Sequence, residues 1–61
     1  MSNRVSLTVV EAAEAAGVGT TKLREEISAG RLIARRMGKR ILISVKDLAA
    51  WIDNLPPAIA A

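Results

Sequence analysis

The sequence predicts an α+β fold: two short helices in tandem, a two-stranded β-hairpin and a closing helix. Three observations predict it. Residues 8–30 carry two sets of helix start and stop signals, separated by the turn Gly17-Val18-Gly19. Residues 32–44 switch to apolar, strand-forming runs on either side of Gly38-Lys39. Residues 44–57 return to helical spacing and end on Pro56-Pro57.

The first helix opens with a capping box. Thr8 and Glu11 stand three residues apart, so the hydroxyl can accept from the Glu11 N–H while the carboxylate reaches back. Leu7 precedes the cap as a staple residue, after a short strand or extended entry. The helix is expected over 9–16, with Gly17 supplying the left-handed residue that ends it. In "TTKLREEISAG", Leu23 and Ile27 fall on an inner face and Gly30 stops the helix. Thr20, Thr21, Lys22, Arg24, Glu25 and Ser28 take the other positions, several of them outward, and Glu25-Glu26 reads as surface charge. Alanines line the first helix, which lets the two axes approach closely.

"LIARRM" and "RILIS" then flank Gly38-Lys39, and glycine at the first central position suits a two-residue type II′ turn. Alternation turns Ile41 and Ile43 inward and Leu42 outward. Leu42 and Ile59 are candidate contacts for a partner protein, although a lone exposed apolar residue is also ordinary surface. In the last helix Ser44 is the N-cap and Asp47 lies in the first turn. Leu48, Trp51, Ile52 and Leu55 form an apolar stripe, which assigns Trp51 to the core rather than to a stacking surface. The whole is expected to be one domain, 1–61, with an ordered core over 7–55 and a tail over 56–61. A helix-turn-helix followed by a two-stranded wing and a C-terminal helix is a winged helix-turn-helix.

Composition narrows the chemistry. With no Cys and no His, disulfides and the usual zinc or transition-metal sites are excluded. Without Cys, His or Tyr the common nucleophile-and-base arrangements are missing, and Glu11 and Glu14 read as a solvated face that includes a cap. No Walker loop or G-x-G-x-x-G fingerprint occurs. No catalysis and no cofactor are therefore expected. No apolar run reaches membrane-span length, and "MSNRVSL" is too short and polar for a signal peptide, so a soluble cytoplasmic protein is expected. Trp51 is the only aromatic residue, which counts against base-stacking RNA and single-strand modules.

The net charge of +3 is unevenly spread. Residues 1–30 carry Arg4, Lys22 and Arg24 against Glu11, Glu14, Glu25 and Glu26, for −1. Residues 31–46 carry Arg31, Arg35, Arg36, Lys39, Arg40 and Lys46 with no acid, for +6. Asp47 and Asp53 leave −2 in the remainder. Localised cationic charge is the footprint of a polyanion-binding surface. A membrane binder would carry it on an amphipathic helix with bulky anchors, whereas here it sits on a hairpin, so double-stranded DNA is the expected partner. In helix-turn-helix docking the second helix enters the major groove. That makes Thr20, Thr21, Lys22, Arg24, Glu25 and Ser28 the candidate base-contacting set. Arg36, Lys39 and Arg40 cluster at the hairpin tip, within reach of phosphates or a minor groove. Edge protection against strand pairing explains one or two such charges but not five without an acid. Arg35 joins the candidate wing set, but Arg31 and Arg35 fit stem packing as well as phosphate contact.

The stretch from Leu7 to Ile52 resembles the small winged-helix domains of the phage excisionase family, also called recombination directionality factors, which are related to the MerR-type DNA-binding domain. The resemblance rests on Leu7-Thr8 with Glu11-Ala12-Ala13, Gly17-Val18, Leu23 and Ile27, Gly30 with Leu32, the wing "RRMGKR" and the closing "DLAAW". The chain departs from relatives at Gly19, where Ser is frequent, at Glu25 and Ser28, where basic residues are frequent, and at Ile33, where Pro is frequent. The resemblance implies an architectural protein. It would bind and bend attachment-site DNA in several adjacent, head-to-tail copies and direct a phage integrase toward excision. No membrane and no small-molecule effector are implied. The alternative is a small MerR-like or repressor-type transcriptional regulator. Regulators of MerR type carry a long dimerisation helix and an effector domain, and this chain, stopping soon after Leu55, is expected to have neither.

Overall fold

Helix boundaries follow from where backbone N–H and C=O groups find partners, and here local side chains and turns supply them. A computed structural model describes residues 4–58; Ile59 lies outside the described residues. Helix α1 spans Val9–Ala16 and starts at the expected capping box. The Glu11 N–H donates to Thr8 Oγ1 at 3.2 Å and the Thr8 N–H donates to Glu11 Oε1 at 2.9 Å. Gly17 ends it at φ 74°. Helix α2 spans Thr20–Ser28 with Gly19 as an N-cap that offers no side-chain bond. At its far end Gly30 sits at φ 79°, a left-handed conformation that costs glycine little. That turn lets the N–H groups of Gly30 and Arg31 donate to the carbonyls of Ile27 and Glu26, both at 3.0 Å, closing the helix as a Schellman motif.

Three strands form one antiparallel sheet in the order β1-β3-β2: β1 (Ser6–Leu7), β2 (Arg35–Met37) and β3 (Arg40–Ser44). The extended entry is thus a true strand, pairing Leu7 with Ile43. It covers one edge of β3 and makes the hairpin part of the fold rather than an appendage. Across the hairpin Arg35 pairs with Leu42, Arg36 with Ile41 and Met37 with Arg40. Gly38 has φ 63° while Lys39 has a negative φ, the combination a type II′ turn needs. Helix α3 (Val45–Asp53) follows directly, with Ser44 Oγ accepting from the Lys46 and Asp47 N–H groups.

Val9, Ala12, Ala13, Leu23, Leu32, Ile43, Leu48 and Trp51 form the core. The stripe expected on α3 is narrower than its sequence suggests. Leu48 and Trp51 are buried, whereas Ile52 and Leu55 are 38% and 43% exposed. Ile52 lies about 100° around the helix from Trp51, and Leu55 follows the last turn of α3, which ends at Asp53.

The larger correction concerns Glu26. It is no surface charge: it is 3% exposed, sharing the inner face of α2 with Leu23 and Ile27. Its carboxylate accepts from Arg31 Nε at 3.0 Å and Arg31 Nη2 at 2.7 Å, and from the indole Nε1 of Trp51 at 3.1 Å. Lys22 Nζ stands 3.6 Å away. Arg31, open between stem packing and phosphate contact on sequence grounds, is therefore an ion-pair partner. Arg31 and Glu26 occupy the two Schellman positions that an apolar contact usually joins, so an ion pair replaces that contact. A buried carboxylate is costly unless its lone pairs are used, and among the described residues no buried side-chain polar atom lacks a partner.

The Arg31 bond, followed by the Trp51 bond, lowers the Glu26 pKa from 4.5 to about 2 against the opposing effect of desolvation. A depressed folded-state pKa means that the unfolded chain binds the proton more readily. The stabilisation is therefore complete above the unfolded value and is lost as pH falls from 4.5 toward about 2. Thermal melts between pH 6 and pH 2 should show a fall in wild-type Tm that is clearly shallower in Glu26→Gln. Glu11, lowered to about 2 mainly by its bond to Arg4, leaves a residual slope. That residual pair is part-exposed and should weaken in high salt.

Gly19 has an ordinary φ of −73°, and a side chain there meets open space. Gly19→Ser should cap α2 and restrict the unfolded chain, adding about 0.4–1 kcal/mol. At about 4–8 °C per kcal/mol for a domain of this size, calorimetry should register a Tm rise of about 2–8 °C.

Candidate nucleic-acid interface

Helical spacing decides which residues of α2 can meet a ligand together. Thr21, Arg24, Glu25 and Ser28 stand at i, i+3, i+4 and i+7, on the face opposite Leu23. With Ala29 they line one open depression of about 550 Å³ on the outside of the helix. Thr20 is half-buried at the first helical position. Lys22 is exposed but leans toward Glu26, one step around the helix from the depression.

The hairpin brings one further cation, Arg40, to the same side. Arg40 and Ile41 line a smaller cleft of about 270 Å³ with Arg24 and with Thr8, Val9 and Val10 from the start of α1. Val9, Arg24, Ile27, Ser28 and Ile41 line a neighbouring one. Arg24 borders all three hollows, which join the outer face of α2 to the Arg40–Ile41 end of β3. Sequence reasoning did not single out the N-cap Thr8 or Val10 of α1 as lining this surface.

Register separates the wing cations. Directly paired residues share a face of the hairpin. Arg36, opposite Ile41, thus lies on the face that Ile41 and Ile43 turn to the helices, while Arg35, Met37, Arg40 and Leu42 lie on the other. Leu42 points outward as expected and is half-buried. Arg35 extends away from the core face, and its Nε stands 3.8 Å from Asp47 Oδ2 at the start of α3. This pair is largely exposed and weak.

Four ion pairs join described residues: Arg4 with Glu11, Lys22 and Arg31 with Glu26, and Arg35 with Asp47. Arg24, Arg36, Lys39 and Arg40 have no ion-pair partner among the described residues. All four are exposed, and they hold the concave surface and the hairpin tip. Among the described residues no group of three or more His, Cys, Asp or Glu is placed to hold a metal ion, and no helix is long and apolar enough to cross a membrane. The arrangement offers hydroxyls, one carboxylate and unneutralised cations along a helix and a hairpin, a set suited to groove edges and phosphates.

The family model described as a helix-turn-helix domain matches residues 6–56, from the first strand to just beyond α3. No curated protein and no solved structure matches the chain. With its tandem helices, its hairpin wing and a match over most of its length, the chain belongs to the helix-turn-helix domain family, a family of small DNA-binding domains.

Proposed function

We propose that α2 and the wing bind duplex DNA together, and that the protein acts as an excisionase-type architectural factor. The observation that carries the first part is the surface shared by Arg24 of α2 and Arg40 of the wing, both without an acidic partner among the described residues. In this reading α2 lies in the major groove. Thr21 meets a thymine methyl or a phosphate, Arg24 donates to guanine O6 and N7, and Glu25 accepts from cytosine N4. Thr20, Lys22 and Ser28 flank these contacts. The wing follows the backbone into the adjacent minor groove, with Arg36, Lys39 and Arg40 on phosphates and Arg35 free to exchange Asp47 for one.

The excisionase role rests on the family resemblance of residues 7–52. Bending DNA costs several kcal/mol, on the order of 1–6 for a short site. A small domain meets that cost by binding in adjacent head-to-tail copies, each contributing a little. The bent array then positions a phage integrase for excision, in the cytoplasm of the bacterial host. The protein itself contributes geometry and no chemistry.

About five phosphate contacts imply a log–log salt slope of about −4 to −5 for duplex binding. Arg36→Ala and Lys39→Ala should each weaken binding to every duplex and flatten the slope by about one unit in a fluorescence-anisotropy salt titration. Unchanged affinity in both variants would remove the wing from the interface. For the architectural role, recombination between prophage attachment sites should require this protein together with the cognate integrase, and neither should suffice alone. Excision indifferent to the protein would favour the small MerR-like or repressor-type regulator.

A further inference from the structure

One apolar side chain stands among the cations of the wing. Met37 is 71% exposed, at the last strand pair before the turn and directly opposite Arg40. It lies on the hairpin face turned away from Ile41 and Ile43, so it contributes nothing to the core. Single exposed apolar residues are ordinary on protein surfaces. Three features make this position different. The tip is two strands wide and closes through Gly38-Lys39, so Met37 is carried at the outermost paired rung of the hairpin. Arg40 faces it across the strands on the same side of the hairpin, and Arg36 and Lys39 are close in sequence, all exposed and none ion-paired among the described residues. And the chain is unbranched and polarisable, able to fit a narrow, irregular gap.

A surface that attracts the three cations brings Met37 into contact with whatever lies between the charges. Facing a duplex, that is the minor groove between two phosphate backbones, where inserted apolar side chains part base steps and kink DNA toward the major groove. We propose that Met37 is such a wedge, entering a pyrimidine–purine step of the minor groove while Arg40, on the same face, and Lys39, in the turn, hold the flanking phosphates. The inference rests on the proposed DNA-binding face and adds to it the residue that makes bending local. Pyrimidine–purine steps are the targets because they unstack at least cost.

The test uses a duplex enriched by the wild-type protein from a random pool, with dyes at both ends and 2-aminopurine at a central TA step. On wild-type binding the 2-aminopurine fluorescence should rise and energy transfer between the ends should increase. Met37→Leu should keep both responses. Met37→Ala should lose the fluorescence rise and most of the bend while keeping the wild-type salt slope. Its affinity should fall by about tenfold, the gain from burying one such side chain less the unstacking it causes. Because the side chain is exposed, both variants should melt like the wild type. Wild-type unstacking and bending by Met37→Ala, with salt-dependent binding intact, would overturn the wedge and leave the DNA-binding face standing. Failure of the wild type to enrich or bind any duplex, including binding only to anionic phosphatidylglycerol vesicles, would overturn both.

Discussion

The carboxylate of Glu26 is the constraint on which the arrangement depends. It is the one charged group buried among the described residues, and its partners come from three places. Lys22 belongs to α2, Arg31 to the segment leading into the wing, and Trp51 to α3. Core packing in a chain of 61 residues is thin and mostly aliphatic, so it defines distances better than orientations. A carboxylate with fixed directions for three donors defines orientations. It ties the second helix and the turn that follows it to the closing helix.

The same group sorts the cations. Glu26 holds Arg31 and draws Lys22 toward it, while Asp47 makes only a weak, exposed pair with Arg35. The cations left without an ion pair among the described residues are Arg24 on the outer face of α2, Arg36, Lys39 and Arg40 at the hairpin tip, and Lys46 in the first turn of α3. Charge held by Glu26 thus serves folding, and unpaired charge is available to a polyanion. That division follows from pairing: two hydrogen bonds to the buried Glu26 carboxylate hold the Arg31 guanidinium, whereas an unpaired one gains most from meeting phosphate.

Much of this was legible in residue order because it depends on local chemistry. Thr8 with Glu11, Gly17, Ser44 and Gly38-Lys39 act through bonds a few residues long, and each forms the cap or turn its spacing implies. The burial of Leu23, Ile43 and Trp51 follows from period. Glu26 was hidden by its neighbour, since Glu25-Glu26 resembles solvated charge. Period held the signal, because Glu26 falls on the face of Leu23 and Ile27, but its stabilising partner Trp51 lies 25 residues away. The pairing of Arg35 depends on a distant acid too, Asp47, whereas that of Arg31 is local and was missed because its acid was read as surface charge. Strand β1 was left open between a short strand and an extended entry, because two residues carry no periodic signal.

We propose one face of the molecule, α2 with the wing, as the DNA-binding face. Amide chemical-shift mapping of the ¹⁵N-labelled protein against an enriched duplex examines every described element at once. The largest shifts should fall on Thr20–Ser28 and residues 36–40, with smaller ones at the start of α1 and little change along the exposed side of α3. Shifts concentrated on Val45–Asp53, with α2 and the hairpin tip unmoved, would contradict it.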